Sequence, residues 1–283
     1  MFKLLVVLAT LTLSLVAHSF PLPDGRRFQT LADLPGSFTT AYNFEGIVRL
    51  SNCSGSLVRF ENSIDTDPAM VLTNGHCLEG GFPQPGVVVY GRQSTRRFYL
   101  MNATGGEVAT LNATTILYGT MTGTDMALYR LRETYVEILS KYAIPAFTLS
   151  STHPELGTPI EVISGYWERG YSCAIEAFIP QLLEANWTMN DSIRYSRPGC
   201  QVIGGTSGSP VVATGTRIVV GVNNTTNEAG RRCTMNNPCE VDADGNITYT
   251  RGYSYGQQTY TVYTCLNANR EIDLSVEGCQ LFH

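Results

Sequence analysis

From Ile47 onward the chain consists of apolar runs of strand length, each closed by turn residues. GIVRLSNCSGSLVRF, AMVLTNGHC, GVVVYGR, RRFYLMNAT and TDMALYRLR follow one another at hairpin spacing. PIEVISGYW, CAIEAFIP, SPVVATGTRIVVGVNN and QQTYTVYTC repeat the style in the second half. No helix-period pattern of useful length lies between residues 44 and 130, and no βαβ rhythm appears, which leaves a sandwich or a barrel. The 15 Tyr and 27 Gly, with many Thr and Val, agree with an all-β chain. The best helical candidate is ETYVEILSKYA, Glu133–Ala143, near the midpoint, where it would form part of the link between two halves. The length accommodates one large domain or two packed halves of roughly 100–150 residues. DADGN, Asp242–Asn246, has its Gly at the wrong offset for a calcium loop and lacks the distal Glu, so it reads as a hairpin turn.

The N-terminus reads as an address. Lys3 precedes an apolar run from Leu4 to Val16, and Ala17-His18-Ser19 closes it with small residues at the two positions that matter for cleavage. Residues 1–19 are therefore expected to be a signal peptide, cut after Ser19. Residues 20–43, which carry the dibasic pair Arg26-Arg27, are a pro-segment or an N-terminal arm. No later segment has about 18 unbroken apolar residues, so no membrane association is expected after cleavage. Eight cysteines fit a secreted protein, extracellular or periplasmic, with up to four disulfides. A zinc site is disfavoured because no Cys-x-x-Cys pair exists and the histidines lie far from most cysteines. A net charge of −5 without a basic run excludes nucleic acid as an expected partner. Sequons start at Asn52, Asn102, Asn112, Asn186, Asn190, Asn223, Asn224 and Asn246, and in a eukaryotic host those on surface loops are glycan acceptors.

CQVIGGTSGSP, Cys200–Pro210, sets Ser207 among small residues. That is either a floppy linker or a backbone that must approach a bound group closely. A serine nucleophile needs an adjacent base. Of four histidines, His18 leaves with the signal peptide, His283 ends the chain, and His153 precedes Pro154 in a polar stretch. His76 remains, after an apolar strand and before Cys77. An imidazole base needs an orienting carboxylate, and Asp125, where a polar turn enters the strand MALYRL, is the best candidate. Singly, each has a plain reading: a structural His, a turn Asp, a Gly/Ser loop. Jointly, in the order His, Asp, Ser, they point to nucleophilic catalysis.

At these residues the sequence resembles the trypsin/chymotrypsin-like serine peptidases. LTNGHC resembles that family's Thr-Ala-Ala-His-Cys, TDMALYRL its Asp-Ile-Ala-Leu, and GTSGSP its Gly-Asp-Ser-Gly-Gly-Pro. CSGSLV resembles the family strand whose cysteine bridges to the one after the histidine, which implies Cys53–Cys77. Ser209 makes the serine motif similar to that of the bacterial glutamyl-endopeptidase branch. The resemblance implies two six-stranded antiparallel β-barrels with the active site in the cleft between them: residues 44–148, then 149–265, with a disulfide-tied tail over 266–283. It implies a triad of His76, Asp125 and Ser207 and an oxyanion hole from the N–H groups of Gly205 and Ser207. The pairing of the other six cysteines is left open by the resemblance; Cys233 and Cys239 could close a small loop near the pocket, and local Cys173–Cys200 and Cys265–Cys279 bridges are candidates only.

Three departures shape the expectation. Thr206 stands where trypsin has the Asp that receives a new N-terminal ammonium, so activation by an inserted N-terminus is not expected. Gln201 stands at the trypsin pocket floor, and Asn223 where the glutamyl branch has a His, so neither a Lys/Arg nor an acidic preference follows. With Val202 and Asn224 nearby, a polar uncharged or mixed substrate pocket is expected. The α/β-hydrolase reading fails, since Ser209 breaks the Gly-x-Ser-x-Gly elbow and the chain order differs. The expected activity is that of a monomeric secreted serine endopeptidase acting on protein or peptide substrates, without cofactor or metal. The alternatives are a non-catalytic binding or regulatory protein on the same fold, and a small-ester hydrolase.

Overall fold

A computed structural model describes residues 42–283; the expected signal peptide and the arm up to residue 41 lie outside the described residues. Seven strands come first: β1 (Ile47–Arg49), β2 (Ser54–Arg59), β3 (Pro68–Thr73), β4 (Val88–Gln93), β5 (Arg97–Met101), β6 (Glu107–Thr120) and β7 (Met126–Thr134). The pairings β1–β5–β6–β7–β3–β2 return to β1, so six strands close a barrel without a free edge. β4 pairs with the second half of β6, which is long enough to serve β5, β7 and β4 in turn.

Helix α1 (Tyr135–Tyr142) follows β7 directly, inside the expected Glu133–Ala143 window. Thr134 and Glu137 form a reciprocal capping box at its start, and Ala143, at φ 57°, ends it in the left-handed conformation. β8 (Phe147–Leu149) then runs parallel to both β2 and β13 and joins the two halves into one sheet. The second half contains β9 (Pro159–Ser164), β10 (Arg169–Glu184), β11 (Trp187–Tyr195), β12 (Pro210–Ala213), β13 (Ile218–Thr226), β14 (Cys239–Val241), β15 (Ile247–Thr248) and β16 (Ser254–Gln258). The pairings β13–β12–β9–β10–β11–β16 return to β13 and close a second six-stranded ring. β14 docks on the edge of β10, and β15 pairs with β14 across the Asp242–Asn246 turn.

The apolar runs explain the layering. Successive strand residues face opposite ways. Leu57 and Val71 fill the first barrel, while their neighbours Val58 and Leu72 face the layer between the barrels. In the second half Val162 points into its own barrel and Ile163 into the shared layer. Strands buried on both faces therefore read as continuous apolar runs. The chain after Cys265 returns to the first barrel: Leu281 is buried in the shared core, and the Tyr118 hydroxyl donates to the Phe282 carbonyl at 3.0 Å. Disulfides Cys53–Cys77, Cys173–Cys200, Cys233–Cys239 and Cys265–Cys279 use all eight cysteines. Among the described residues no helix is long and apolar enough to cross a membrane.

Candidate active site

β3 ends at Thr73, and the chain turns through a short 3₁₀ segment, Gly75–Cys77, that carries His76. The Cys53–Cys77 disulfide anchors the far end of this turn to the start of β2. Gly75 is required for space: a Cβ there would lie 1.9 Å from the Thr120 carbonyl oxygen. Asp125 sits just before β7 and is 1% exposed. Its carboxylate takes the His76 backbone N–H on Oδ1 at 3.0 Å and meets the ring Nδ1 with Oδ2 at 2.6 Å. Asn74 completes the clamp by donating from Nδ2 to the Asp125 carbonyl at 2.7 Å. The imidazole is thereby held in one orientation, with Nδ1 committed to the acid.

Ser207 comes from the loop between β11 and β12. Its carbonyl accepts from the Ser54 N–H, on β2 of the first barrel, at 2.8 Å. The Thr206 N–H donates to Ile203 O and the Gly208 N–H to Asn223 O. Among the described residues this leaves the N–H groups of Gly205 and Ser207 without a backbone acceptor. Gly205 has φ +91°, a conformation that aims its peptide in a direction an L side chain resists. Thr206 is buried, and its hydroxyl donates to the Ile203 carbonyl at 2.6 Å. Asn223 Nδ2 donates to the Thr206 carbonyl at 3.0 Å and to its hydroxyl at 3.2 Å. A neutral network therefore holds the loop where trypsin uses an ion pair.

His76, Asp125 and Ser207 line one cavity, with Val202, Asn223 and Asn224. The Ser207 hydroxyl donates to the Asn224 carbonyl at 3.4 Å, and no Ser207–His76 hydrogen bond is made among the described residues. Burial disfavours the imidazolium, but the charge of Asp125, its hydrogen bond and the charge of Glu184 outweigh burial and lift His76 above its ordinary value. Cys53, His76 and Cys77 cluster tightly, yet both sulfurs are spent in the disulfide and offer no thiolate to a metal.

The expected pocket residues fall in two neighbouring cavities that share Val202. Gln201 does not line the cavity with Ser207. Its N–H donates to the Gly199 carbonyl at 2.7 Å, and the residue lines a neighbouring groove with Arg197 and Arg251. Asn223 and Asn224 line the cavity, but their amides are engaged: Asn223 on Thr206, Asn224 on the Met189 sulfur at 3.0 Å. Both are at most 5% exposed, which also removes them as glycan acceptors. Glu184, at the end of β10, lines the cavity and was not anticipated; nothing in LLEANW distinguishes it from an exposed turn charge. Trp167 was likewise missed as a support: its indole N–H donates to the Gly204 carbonyl at 2.7 Å.

No curated protein sequence matches the chain. Among solved structures, the apo protease domain of MamO from Magnetospirillum magneticum aligns over 80% of this chain and 98% of its own, at 12% identity and TM-score 0.48. The chymotrypsin of Cellulomonas bogoriensis aligns over 77% and 91%, at 13% identity and TM-score 0.41. A Glu endopeptidase aligns over 76% and 85%, at 16% identity and TM-score 0.44. The model of the trypsin-like peptidase domain matches residues 53–222, a span that opens at the first disulfide and includes His76, Asp125 and Ser207. The chain belongs to the trypsin-like peptidase family.

Proposed function

We propose that the chain is an exported serine endopeptidase in which His76, Asp125 and Ser207 carry acyl transfer. The observation that carries this reading is the doubly bonded Asp125 carboxylate, at 2.6 Å from His76 Nδ1, facing the cavity that also holds Ser207. As the Ser207 hydroxyl swings from Asn224 toward His76, Nε2 takes its proton and Oγ attacks a peptide carbonyl. Asp125 keeps the tautomer and stabilises the imidazolium. The N–H groups of Gly205 and Ser207 stabilise the tetrahedral oxyanion, and removal of one such donor typically costs about 3–4 kcal/mol of barrier. His76 then gives the proton to the leaving amine, and water cleaves the acyl-enzyme. The four disulfides and the N-terminal apolar run support cleavage after Ser19 and an extracellular or periplasmic setting, where the chain acts as a monomer on peptide substrates.

The test is labelling of the purified protein with a fluorophosphonate, followed by mapping of the adduct. The expected adduct is on Ser207, and Ser207→Ala abolishes it. The Asn224-directed hydroxyl favours a second reading, a binding or regulatory protein on the same fold. An absent adduct under conditions that label trypsin decides for that reading.

A further inference from the structure

The stretch that delivers Asp125 from β6 to β7 reads MTGTD, and its own side chains anchor it sparingly. The Thr122 hydroxyl accepts the Gly86 N–H at 2.8 Å, while the Thr124 hydroxyl is buried with no partner among the described residues. Further hold comes from outside the first barrel. The Gly123 N–H donates to the Thr188 carbonyl and the Gly123 carbonyl accepts the Asn190 N–H, both at 2.8 Å, which hangs the stretch on β11. Phe282 covers the same glycine: a Cβ built on Gly123 would stand 3.3 Å from the Phe282 Cβ and 4.0 Å from its Cγ. Gly123 has φ +76°, in the left-handed region, so Phe282 rests on bare backbone.

Phe282 is not placed by its own burial, since it is 37% exposed. The segment after Cys265 places it. The Cys265–Cys279 disulfide ties that segment to itself. Leu281, beside Phe282, is 3% exposed in the shared core, and the Tyr118 hydroxyl on β6 fixes the Phe282 carbonyl. Earlier in the segment, Arg270 sets two N–H groups on the Asp67 carboxylate at 2.9 and 3.1 Å, and the Tyr90 hydroxyl donates to the Ile272 carbonyl at 2.8 Å. A ring held in this way is a stop that a run of small residues cannot supply for itself. Peptide planes are stiff, so a shift at Gly123 passes along the chain to Asp125. A functional constellation tolerates displacement of only about 0.5 Å.

We infer that Phe282 is a positioning residue for the acid of the proposed triad: resting on Gly123, it fixes the Met121–Asp125 stretch so that the Asp125 carboxylate keeps both bonds to His76. The inference rests on the peptidase reading for its turnover assay, whereas the His76–Asp125 bond can be followed without turnover.

The decisive variants are Phe282→Ala, which removes the ring, and Phe282→Tyr, which keeps it. For each, kcat and KM on a peptide selected from a library are read beside magnetic resonance of protein carrying isotope-labelled histidine, with the His76 signal assigned by its loss in His76→Gln. In Phe282→Ala the expected fall in kcat is tenfold or more, with KM within twofold. The His76 Nδ1 signal moves and its titration midpoint drops, because the charge of Asp125 is less well placed beside it. In Phe282→Tyr both readouts return to those of the parent protein. A His76 signal and midpoint unchanged in Phe282→Ala overturn the inference whatever happens to kcat, and so does a change that Phe282→Tyr shares. If Phe282→Ala fails to fold, Tyr118→Phe keeps the core ring and cuts the tether to the Phe282 carbonyl: a displaced His76 signal then supports the inference and an unchanged one overturns it. If the parent protein shows neither hydrolysis nor a fluorophosphonate adduct, the peptidase reading has failed, and the His76 signal still decides whether Phe282 places Asp125.

Discussion

At the scale of single residues, the Asp125 carboxylate carries most of the consequences, because it holds both the backbone and the ring of His76. Asp125→Asn keeps the shape, loses the charge and invites the wrong tautomer; the expected fall in kcat is about 10⁴-fold. The same charge sets the pH response. In the proposed mechanism His76 serves as base only when neutral, and it is held above the ordinary 6.5, so kcat/KM is expected to climb with pH through a midpoint above that value. The stability linkage has the opposite sense: a raised native pKa stabilises the fold fully below the unfolded value, and the contribution fades as pH rises through the native one. A pH–rate profile read beside a pH series of denaturation midpoints checks both directions, and a rate midpoint below 6.5 contradicts the electrostatic picture.

At the scale of elements, the turn carrying His76 is held by a covalent tie and a missing side chain. Removing the Cys53–Cys77 bridge by a double Ala substitution opens a loop of sequence separation 24. Loop-closure entropy puts the expected loss at about 3 kcal/mol, measured by chemical denaturation. Gly75→Ala drives a methyl group into the Thr120 carbonyl, and activity is expected to fall further than stability, because the turn that must shift is the one that aims the base. Thr134→Ala removes half of the α1 capping box and is expected to cost about 1 kcal/mol without touching turnover. The barrel strands and α1 were legible in the sequence because burial on alternating faces and local capping leave local signatures. That His76, Asp125 and Ser207 line one cavity was legible because each sits at a strand end in a short, recognisable context. Glu184 was not legible, since its burial depends on a segment about fifty residues away that docks through Cys233–Cys239 and β14. The placement of Gln201 in the groove beside the cavity was not legible either, since position along the chain does not say which of two adjoining grooves a loop residue lines.

At the scale of the whole molecule, the two rings supply different parts of the proposed chemistry, the first His76 and Asp125, the second the loop with Ser207. The Thr206–Asn223 network orders that loop with neutral groups, so no particular N-terminal residue is needed to switch it on. Proteins beginning at Phe20 and at Tyr42 are expected to react with a fluorophosphonate at rates within twofold of each other. A rate that depends steeply on the start site would show that the preceding segment takes part. The Ser54 N–H to Ser207 O bond has a mechanical corollary. Ser207 is covalently part of one ring yet is steadied by a rung belonging to the other. On the proposed reading, slight parting of the rings therefore disarms the site while each ring still keeps its shape. Under gentle heating or dilute urea, turnover should vanish ahead of the far-ultraviolet signal, and cooling should restore it without any refolding delay.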